Sequence, residues 1–296
     1  MPELVLKGCG TALITPFRNG EIDYDAYRVL VRRQLEAGID FLVPLETTAE
    51  TPCLDNGEKC ELMRLTRELC PDLPLVVGVG TNSLSQTLAN IRMLGEYGPD
   101  AYLVVVPYYN KPTQDGIYEY FKAVAENADR PIIAYNVPGR TGTNMTAATT
   151  LRLAGIPGII AVKEASGNLD QIVDVIREAP EGFSVFSGND DQTLPLMACG
   201  ADGVISVASN IAPEQVIGLV RAVQAGDLKA AARANSDLVP LFKGCFVESN
   251  PIPVKAALAL MGYCTPEMRL PLTKAGQATF DTMKNIIDNL GILVMR

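Results

Sequence analysis

The sequence predicts an α/β fold, a closed (β/α)8 barrel, and three observations lead there. Eight short apolar runs recur up to about residue 225, each bounded by turn residues and separated by helix-patterned segments. Runs such as Ile159–Ala165 are apolar rather than alternating, as expected of strands in a parallel sheet covered on both faces. No Gly-x-Gly-x-x-Gly turn follows the first run, which disfavours the alternative of a doubly wound open sheet.

The runs are Cys9–Thr15, Phe41–Leu45, Leu75–Gly80, Ala101–Pro107, Pro131–Val137, Ile159–Ala165, Phe183–Ser187 and Gly203–Ser209. Between them, Ser83–Tyr97 places Leu84, Leu88 and Ile91 on one helical face, and Asn168–Glu178 does the same with Ile172, Val173 and Ile176. Gly38, Gly98, Gly155 and Gly200 punctuate helix ends before the next strand. After Ala225-Gly226-Asp227 only helical patterns remain: alanine-rich Leu228–Cys245, apolar Val254–Met261, and a last segment with Phe280, Met283, Ile287 and Leu290 on one face. The expected organisation is a barrel over residues 1–225 and a small C-terminal helical domain over 226–296.

Composition narrows the chemistry. A net charge of −9 argues against nucleic acid or an anionic membrane surface as partner. The opening residues carry neither a secretory nor a membrane-spanning apolar segment, so the expected location is the cytoplasm. Seven cysteines with no C-x-x-C pair fit reduced thiols, most of them expected as small core residues. The absence of histidine excludes Ser-His and Cys-His nucleophiles and an imidazole-bound zinc. Acid–base work then falls to Tyr, Lys, Asp, Glu or Cys.

In a barrel the carboxyl ends of the strands carry the chemistry. Lys163 stands near the end of the sixth run, and alternation sends it and Glu164 to opposite faces, so that one of them enters a dry environment. Desolvation of a lysine frees the amine that attacks carbonyls; a strand-end lysine that simply reaches water is the plainer alternative. After the second run, Glu46-Thr47-Thr48-Ala49-Glu50 forms a turn that either holds a carboxylate or supplies an ordinary N-cap. After the fourth run, the adjacent phenols Tyr108 and Tyr109 stand between Pro107 and Pro112, as interface aromatics often do. After the fifth, Tyr135 is placed to pass a proton. Arg140, on a glycine-flanked loop, offers a fork for a carboxylate or stays solvated. Asp190 and Asp191 read as a helix cap rather than a metal site, because no further ligands cluster nearby. The carbonyls of Val204-Ile205-Ser206-Val207 are expected at the mouth.

The lysine at the end of strand six, the Thr-Thr turn, the tyrosine pair and the run Tyr135-Asn136-Val137-Pro138-Gly139-Arg140-Thr141-Gly142 together resemble one family over nearly the whole chain. It is the family of pyruvate-dependent class I aldolases that includes dihydrodipicolinate synthase and N-acetylneuraminate lyase. Arg140 and the Tyr108-Tyr109 pair are more similar to the synthase branch. The resemblance implies condensation of pyruvate with L-aspartate 4-semialdehyde in lysine (diaminopimelate) biosynthesis, with no metal or organic cofactor. Lys163 would form the imine with pyruvate, and Tyr135 would donate and accept protons. Thr47 would link Tyr135 to Tyr109 of a neighbouring subunit in a homotetramer or homodimer. Thr48 and the backbone at Ile205 would hold pyruvate, and Arg140 the carboxylate of the semialdehyde. A sibling aldolase for a sugar-derived 2-keto acid is the nearest rival, and a non-catalytic carboxylate-binding barrel is the rival from another class.

Two departures from the family pattern stand out. Glu46 replaces the family's usual glycine, and strand alternation predicts that its side chain points away from the face of Thr47. The positions matching a lysine-binding regulatory cleft are Thr51, Asn56, Lys59, Asn82, Gln86 and Tyr108. Lys59 adds positive charge there and Gln86 lacks the carboxylate that would meet an ammonium, so weak or absent lysine feedback is expected.

Overall fold

The computed structural model describes residues 4–292; the first three positions of the expected barrel and the last four of the expected helical domain lie outside them. The eight expected strands are present as β1 (Gly8–Ala12), β2 (Phe41–Val43), β3 (Val76–Gly78), β4 (Ala101–Val105), β5 (Ile132–Asn136), β6 (Ile159–Glu164), β7 (Ser184–Ser187) and β8 (Gly203–Ser206). All their pairings are parallel, and β1 lies between β2 and β8. A parallel bridge from Leu42 to Leu75 completes the ring between β2 and β3, which rules out the open sheet.

Helices α1 (Tyr24–Ala37), α2 (Asn56–Leu69), α3 (Leu84–Gly95), α4 (Gln114–Asn127), α5 (Ala147–Ala154), α6 (Leu169–Glu178), α7 (Thr193–Ala198) and α8 (Pro213–Gln224) surround the barrel. Several begin where a short polar side chain satisfies an end N–H group. Asp23, Thr113, Thr146 and Asn168 do so, and Asp55 forms a reciprocal capping box with Glu58. In α6 the buried pair is Ile172 and Val175, whereas Val173 is exposed, a one-residue rotation from the expected face. Arg140 lies not on an open loop but in a one-turn helix, Pro138–Thr141, begun by proline at its first position.

Two apolar layers result. The inner one, with Phe41, Val43, Leu103, Ile133, Phe186 and Ile205, fills the barrel, and Phe41 meets Phe186 edge-to-face at 5.5 Å between ring centres. The outer one lies between strands and helices. It extends without a break into the C-terminal helices α9 (Leu228–Gly244), α10 (Ile252–Leu260) and α11 (Gln277–Leu290), through Leu238, Leu241, Leu258 and Met283. A fully buried ion pair, Lys255 with Glu50, joins α10 to the turn after β2. The Lys255 ammonium also lies over the Phe17 ring and donates to the Glu267 carbonyl at 2.9 Å.

A two-stranded antiparallel ribbon, Phe17–Arg18 with Glu21–Ile22, was not expected from the apolar runs. Its turn is Asn19-Gly20, both at positive φ, the usual chemistry of a tight hairpin. The seven thiols are all free, but only Cys9, Cys70 and Cys245 are buried; Cys53, Cys60 and Cys264 are half-buried and Cys199 is exposed, so the expectation of mostly core cysteines is corrected. Among the described residues no helix is long and apolar enough to cross a membrane.

Candidate active site

Tyr135 on β5 and Lys163 on β6 are register partners, so their side chains share the inner face of the barrel. The Lys163 ammonium lies 4.1 Å from the centre of the Tyr135 ring. Gly188 makes room for the lysine stem, because a methyl group there would come 3.2 Å from Lys163 Cε. Lys163 is only 4% exposed, and burial lowers its pKa to about 8; Glu46 and Asp190 oppose the fall, and Arg140 adds to it. A substantial share of free amine therefore exists near neutral pH. Burial also raises the Tyr135 phenol, with Glu46 adding to the rise and Arg140 and Thr47 opposing it.

Glu164 faces the other way, as alternation requires, yet it too is buried. Both members of the pair are therefore in dry surroundings, as a strand covered on both faces allows. The Glu164 carboxylate is satisfied on the outer face by Asn136 Nδ2 at 3.1 Å, Ser166 N at 2.9 Å and Gln171 Nε2 at 3.2 Å. Burial nonetheless raises its pKa.

Glu46 overturns the outward assignment. Its carboxylate turns toward Thr47: Oε1 accepts from Thr47 N at 3.1 Å and from Thr47 Oγ1 at 3.3 Å. It acts electrostatically on both Lys163 and Tyr135. The physical reason is Leu45, whose φ of 58° is left-handed; β2 has already ended at Val43, so strand alternation does not extend to Glu46. Gly78 allows this path, since a Cβ there would lie 2.0 Å from the Leu45 carbonyl oxygen. Burial pushes the Glu46 carboxyl above the usual carboxylate range, while Lys163, Thr47 and Arg140 pull it back.

Beside this group lies a cavity of about 420 Å³, lined among others by Glu46, Thr47, Tyr108, Arg140 and Asn250. Arg140 Nη2 donates to the Asn250 carbonyl at 3.3 Å, leaving most of the guanidinium fork uncommitted by that contact. Thr48 is buried and accepts from Asn250 Nδ2 at 2.9 Å. Asn250 Oδ1 is buried without a partner among the described residues and offers an acceptor at the site. Sequence reasoning missed Asn250; its only signal was the turn-prone Asn-Pro dipeptide. Of the regulatory-cleft positions, Thr51, Lys59 and Tyr108 line this same cavity, whereas Asn56, Asn82 and Gln86 do not. Tyr109 is 88% exposed and at positive φ, outside the Lys163 group of its own chain.

Ile205 is buried inside the barrel, and the carbonyls that follow it also accept bonds within their own turn. The Ser206 carbonyl accepts from Ser209 Oγ at 3.4 Å and the Val207 carbonyl from Asn210 Nδ2 at 3.0 Å. Asp190 makes no side-chain cap at the start of its own helical segment. It accepts from Val207 N at 2.9 Å, Ala208 N at 3.0 Å and the Ser206 hydroxyl, pinning the segment after β8. No group of three or more Cys, Asp or Glu side chains among the described residues is arranged to hold a metal ion.

Taken together, these groups can form an imine on a partly free, enclosed amine, move a proton through a neighbouring phenol, and hold a carboxylate at a guanidinium. The comparisons agree with that chemistry. The model of the dihydrodipicolinate synthetase family matches residues 5–290. A Thermotoga neapolitana protein named 4-hydroxy-tetrahydrodipicolinate synthase is 45% identical over 294 residues, 98% of this chain and 100% of that one. The crystal structure of dihydrodipicolinate synthase from Thermotoga maritima superposes with a TM-score of 0.96 at 44% identity, covering 97% of this chain and 99% of that one. A structure described as a monomeric dihydrodipicolinate synthase variant matches equally well, with a TM-score of 0.96, 44% identity and 97% of each chain covered.

Proposed function

We propose that this chain, which belongs to the dihydrodipicolinate synthetase family, condenses pyruvate with L-aspartate 4-semialdehyde to 4-hydroxy-tetrahydrodipicolinate, a lyase-type reaction of lysine biosynthesis. The observation that carries the reading is Lys163, enclosed on the inner face beside Tyr135 with its pKa lowered to about 8. Its amine attacks the pyruvate carbonyl, and loss of water leaves a cationic imine. That cation draws electrons from the adjacent methyl carbon, so Tyr135 can remove a proton there and create an enamine. The enamine carbon attacks the aldehyde, whose oxygen takes up a proton; the substrate's own amine then displaces Lys163 and closes the ring.

Thr48 and the backbone at Ile205 hold the pyruvate carboxylate, and Arg140 clamps the carboxylate of the semialdehyde from the cavity wall. The electron sink is the imine itself, so the scheme needs no cofactor. The chain works as a homodimer or homotetramer in the cytoplasm. The exposure of Tyr109 supports a role across a subunit interface, and seven free thiols support a reducing compartment. Lysine feedback is weak, because Lys59 adds a cation to the cleft and Gln86 offers no carboxylate to meet an ammonium.

Borohydride reduction with pyruvate, followed by peptide mapping, tests the class: the adduct belongs on Lys163. Turnover is then measured with L-aspartate 4-semialdehyde and with sugar-derived 2-keto acids. An adduct with turnover of only the latter would move the chain to the sibling lyases, and no adduct would leave a carboxylate-binding barrel.

A further inference from the structure

We propose that Glu164, buried behind the barrel wall, is the positioning residue for Arg140: its carboxylate anchors the side-chain network that closes the loop carrying the guanidinium. The inference rests on the reading of Arg140 as the clamp for the semialdehyde carboxylate and says what holds that clamp in place.

The loop is a closed ring. It leaves β5 at Asn136, makes the helical turn Pro138–Thr141 and returns at Met145. Asn136 joins its two ends: Oδ1 accepts from Met145 N at 2.9 Å, while Nδ2 donates to the Met145 carbonyl at 3.1 Å and to Asn144 Oδ1 at 2.9 Å. Inside the ring, Arg140 N and Thr141 N donate to the Val137 carbonyl at 2.9 and 3.0 Å, and Thr141 Oγ1 donates to the Thr143 carbonyl at 2.8 Å. The turn is thus stiff, and its base decides where the guanidinium lies. The Nη2 contact to the Asn250 carbonyl, at 3.3 Å, is too long to fix the guanidinium by itself.

Glu164 holds that base. With Oδ1 of Asn136 turned to Met145 N, Nδ2 faces the Glu164 carboxylate, 3.1 Å from each of its oxygens. The carboxylate also accepts from Ser166 N at 2.9 Å and from Gln171 Nε2 at 3.2 Å. Gln171, on α6, reaches back to the loop, donating to the Met145 carbonyl at 3.1 Å and accepting from Asn144 Nδ2 at 2.8 Å. All three groups that meet Glu164 are donors, so an amide at this position would set its own NH2 against N–H groups in a buried space. The far end of the loop has another support, Gln114 Nε2 donating to the Asn144 carbonyl at 2.8 Å, so the near end at Asn136 is the part that depends on Glu164.

The network stands on the outer face, whereas Tyr135 and Lys163 face inward and are paired through the backbone of β5 and β6. Imine formation and recognition of the acceptor are therefore separable, and loss of the network should spare the first and impair the second.

The test is steady-state kinetics of the full-length wild type, Glu164→Gln, Gln171→Met and Arg140→Ala, and of each of the first two variants combined with Arg140→Ala. Borohydride trapping at saturating pyruvate is carried to completion alongside. Gln171 is half-buried, so Gln171→Met carries the test if Glu164→Gln fails to fold. Complete trapping on Lys163 is expected in every folded variant. The KM for L-aspartate 4-semialdehyde should rise about tenfold in Glu164→Gln and by a smaller factor in Gln171→Met, with the KM for pyruvate unchanged. In the Arg140→Ala background either substitution should add less than about twofold, because the group it positions is gone. A general loosening of the fold would instead lower trapping and raise both KM values. That result would overturn the proposal, as would an unchanged semialdehyde KM in the folded variants. Losses that multiply in the double variants would also overturn it, because Glu164 would then act without Arg140. If Arg140→Ala alone left the semialdehyde KM unchanged, the clamp reading itself would fall, and the role given to Glu164 with it.

Discussion

The pKa of Lys163 makes a quantitative prediction about imine formation. At a value of about 8, roughly a tenth of the amine is free at pH 7, against roughly one part in 2,500 for an ordinary lysine. Because only the free amine attacks, the rate of imine formation should climb about tenfold per pH unit up to about 8 and level off above it. The sign of each neighbour's effect follows from its charge. Glu46 stabilises the ammonium, so Glu46→Gln should move the midpoint down; Arg140 destabilises it, so Arg140→Ala should move the midpoint up. Rapid mixing with pyruvate at pH 6–10.5, quenching into borohydride at one fixed pH and weighing the intact chain gives this rate directly. The fixed quench keeps the pH dependence of the reduction out of the comparison. A rate still climbing tenfold per unit between pH 9 and 10 would show an unperturbed ammonium and refute the desolvation argument, and an upward shift in Glu46→Gln would refute the assigned effect of the Glu46 charge.

Two further predictions concern the frame around the site. Lys255→Ala leaves Glu50 buried without its partner, so urea unfolding should show a loss of about 3–5 kcal/mol, whereas replacing both by apolar residues, Lys255→Met with Glu50→Leu, should recover most of it. Asp190→Ala strips the acceptor from the buried N–H groups of Val207 and Ala208, at about 1–3 kcal/mol each, and should weaken pyruvate trapping by loosening the backbone beside Ile205.

The barrel was legible because its strands are covered on both faces, which makes an apolar run such as Ile159–Val162 readable without any partner sequence. The side-chain faces at β5 and β6 followed from alternation alone, and Lys163 and Tyr135 do share the inner face. Alternation failed one turn away, at Glu46, because Leu45 adopts a left-handed φ that glycine or asparagine would have advertised and leucine does not. The roles of Asp190 and Glu50 were hidden for a different reason. Each carboxylate bonds groups distant in sequence, Val207 and Ala208 for the first and Lys255 for the second, and no local pattern announces such a partner. Arg140 was read on an open loop because a single helical turn is too short to show periodicity.

The Lys255–Glu50 pair also bears on what can be borrowed from this scaffold. Glu50 belongs to the same turn as Thr47, and its second oxygen accepts from Arg269 N at 3.1 Å, so the last quarter of the polypeptide supplies both the counter-charge and a backbone donor for a carboxylate at the rim of the reaction chamber. A designer who transplanted the eight-stranded portion alone would carry over an uncompensated anion beside Thr47, and one who trimmed the tail would create the same defect. The smallest heritable unit of this chemistry therefore runs from the first strand to at least Arg269, and recombination with a foreign tail should succeed only where the incoming segment brings its own cation to Glu50.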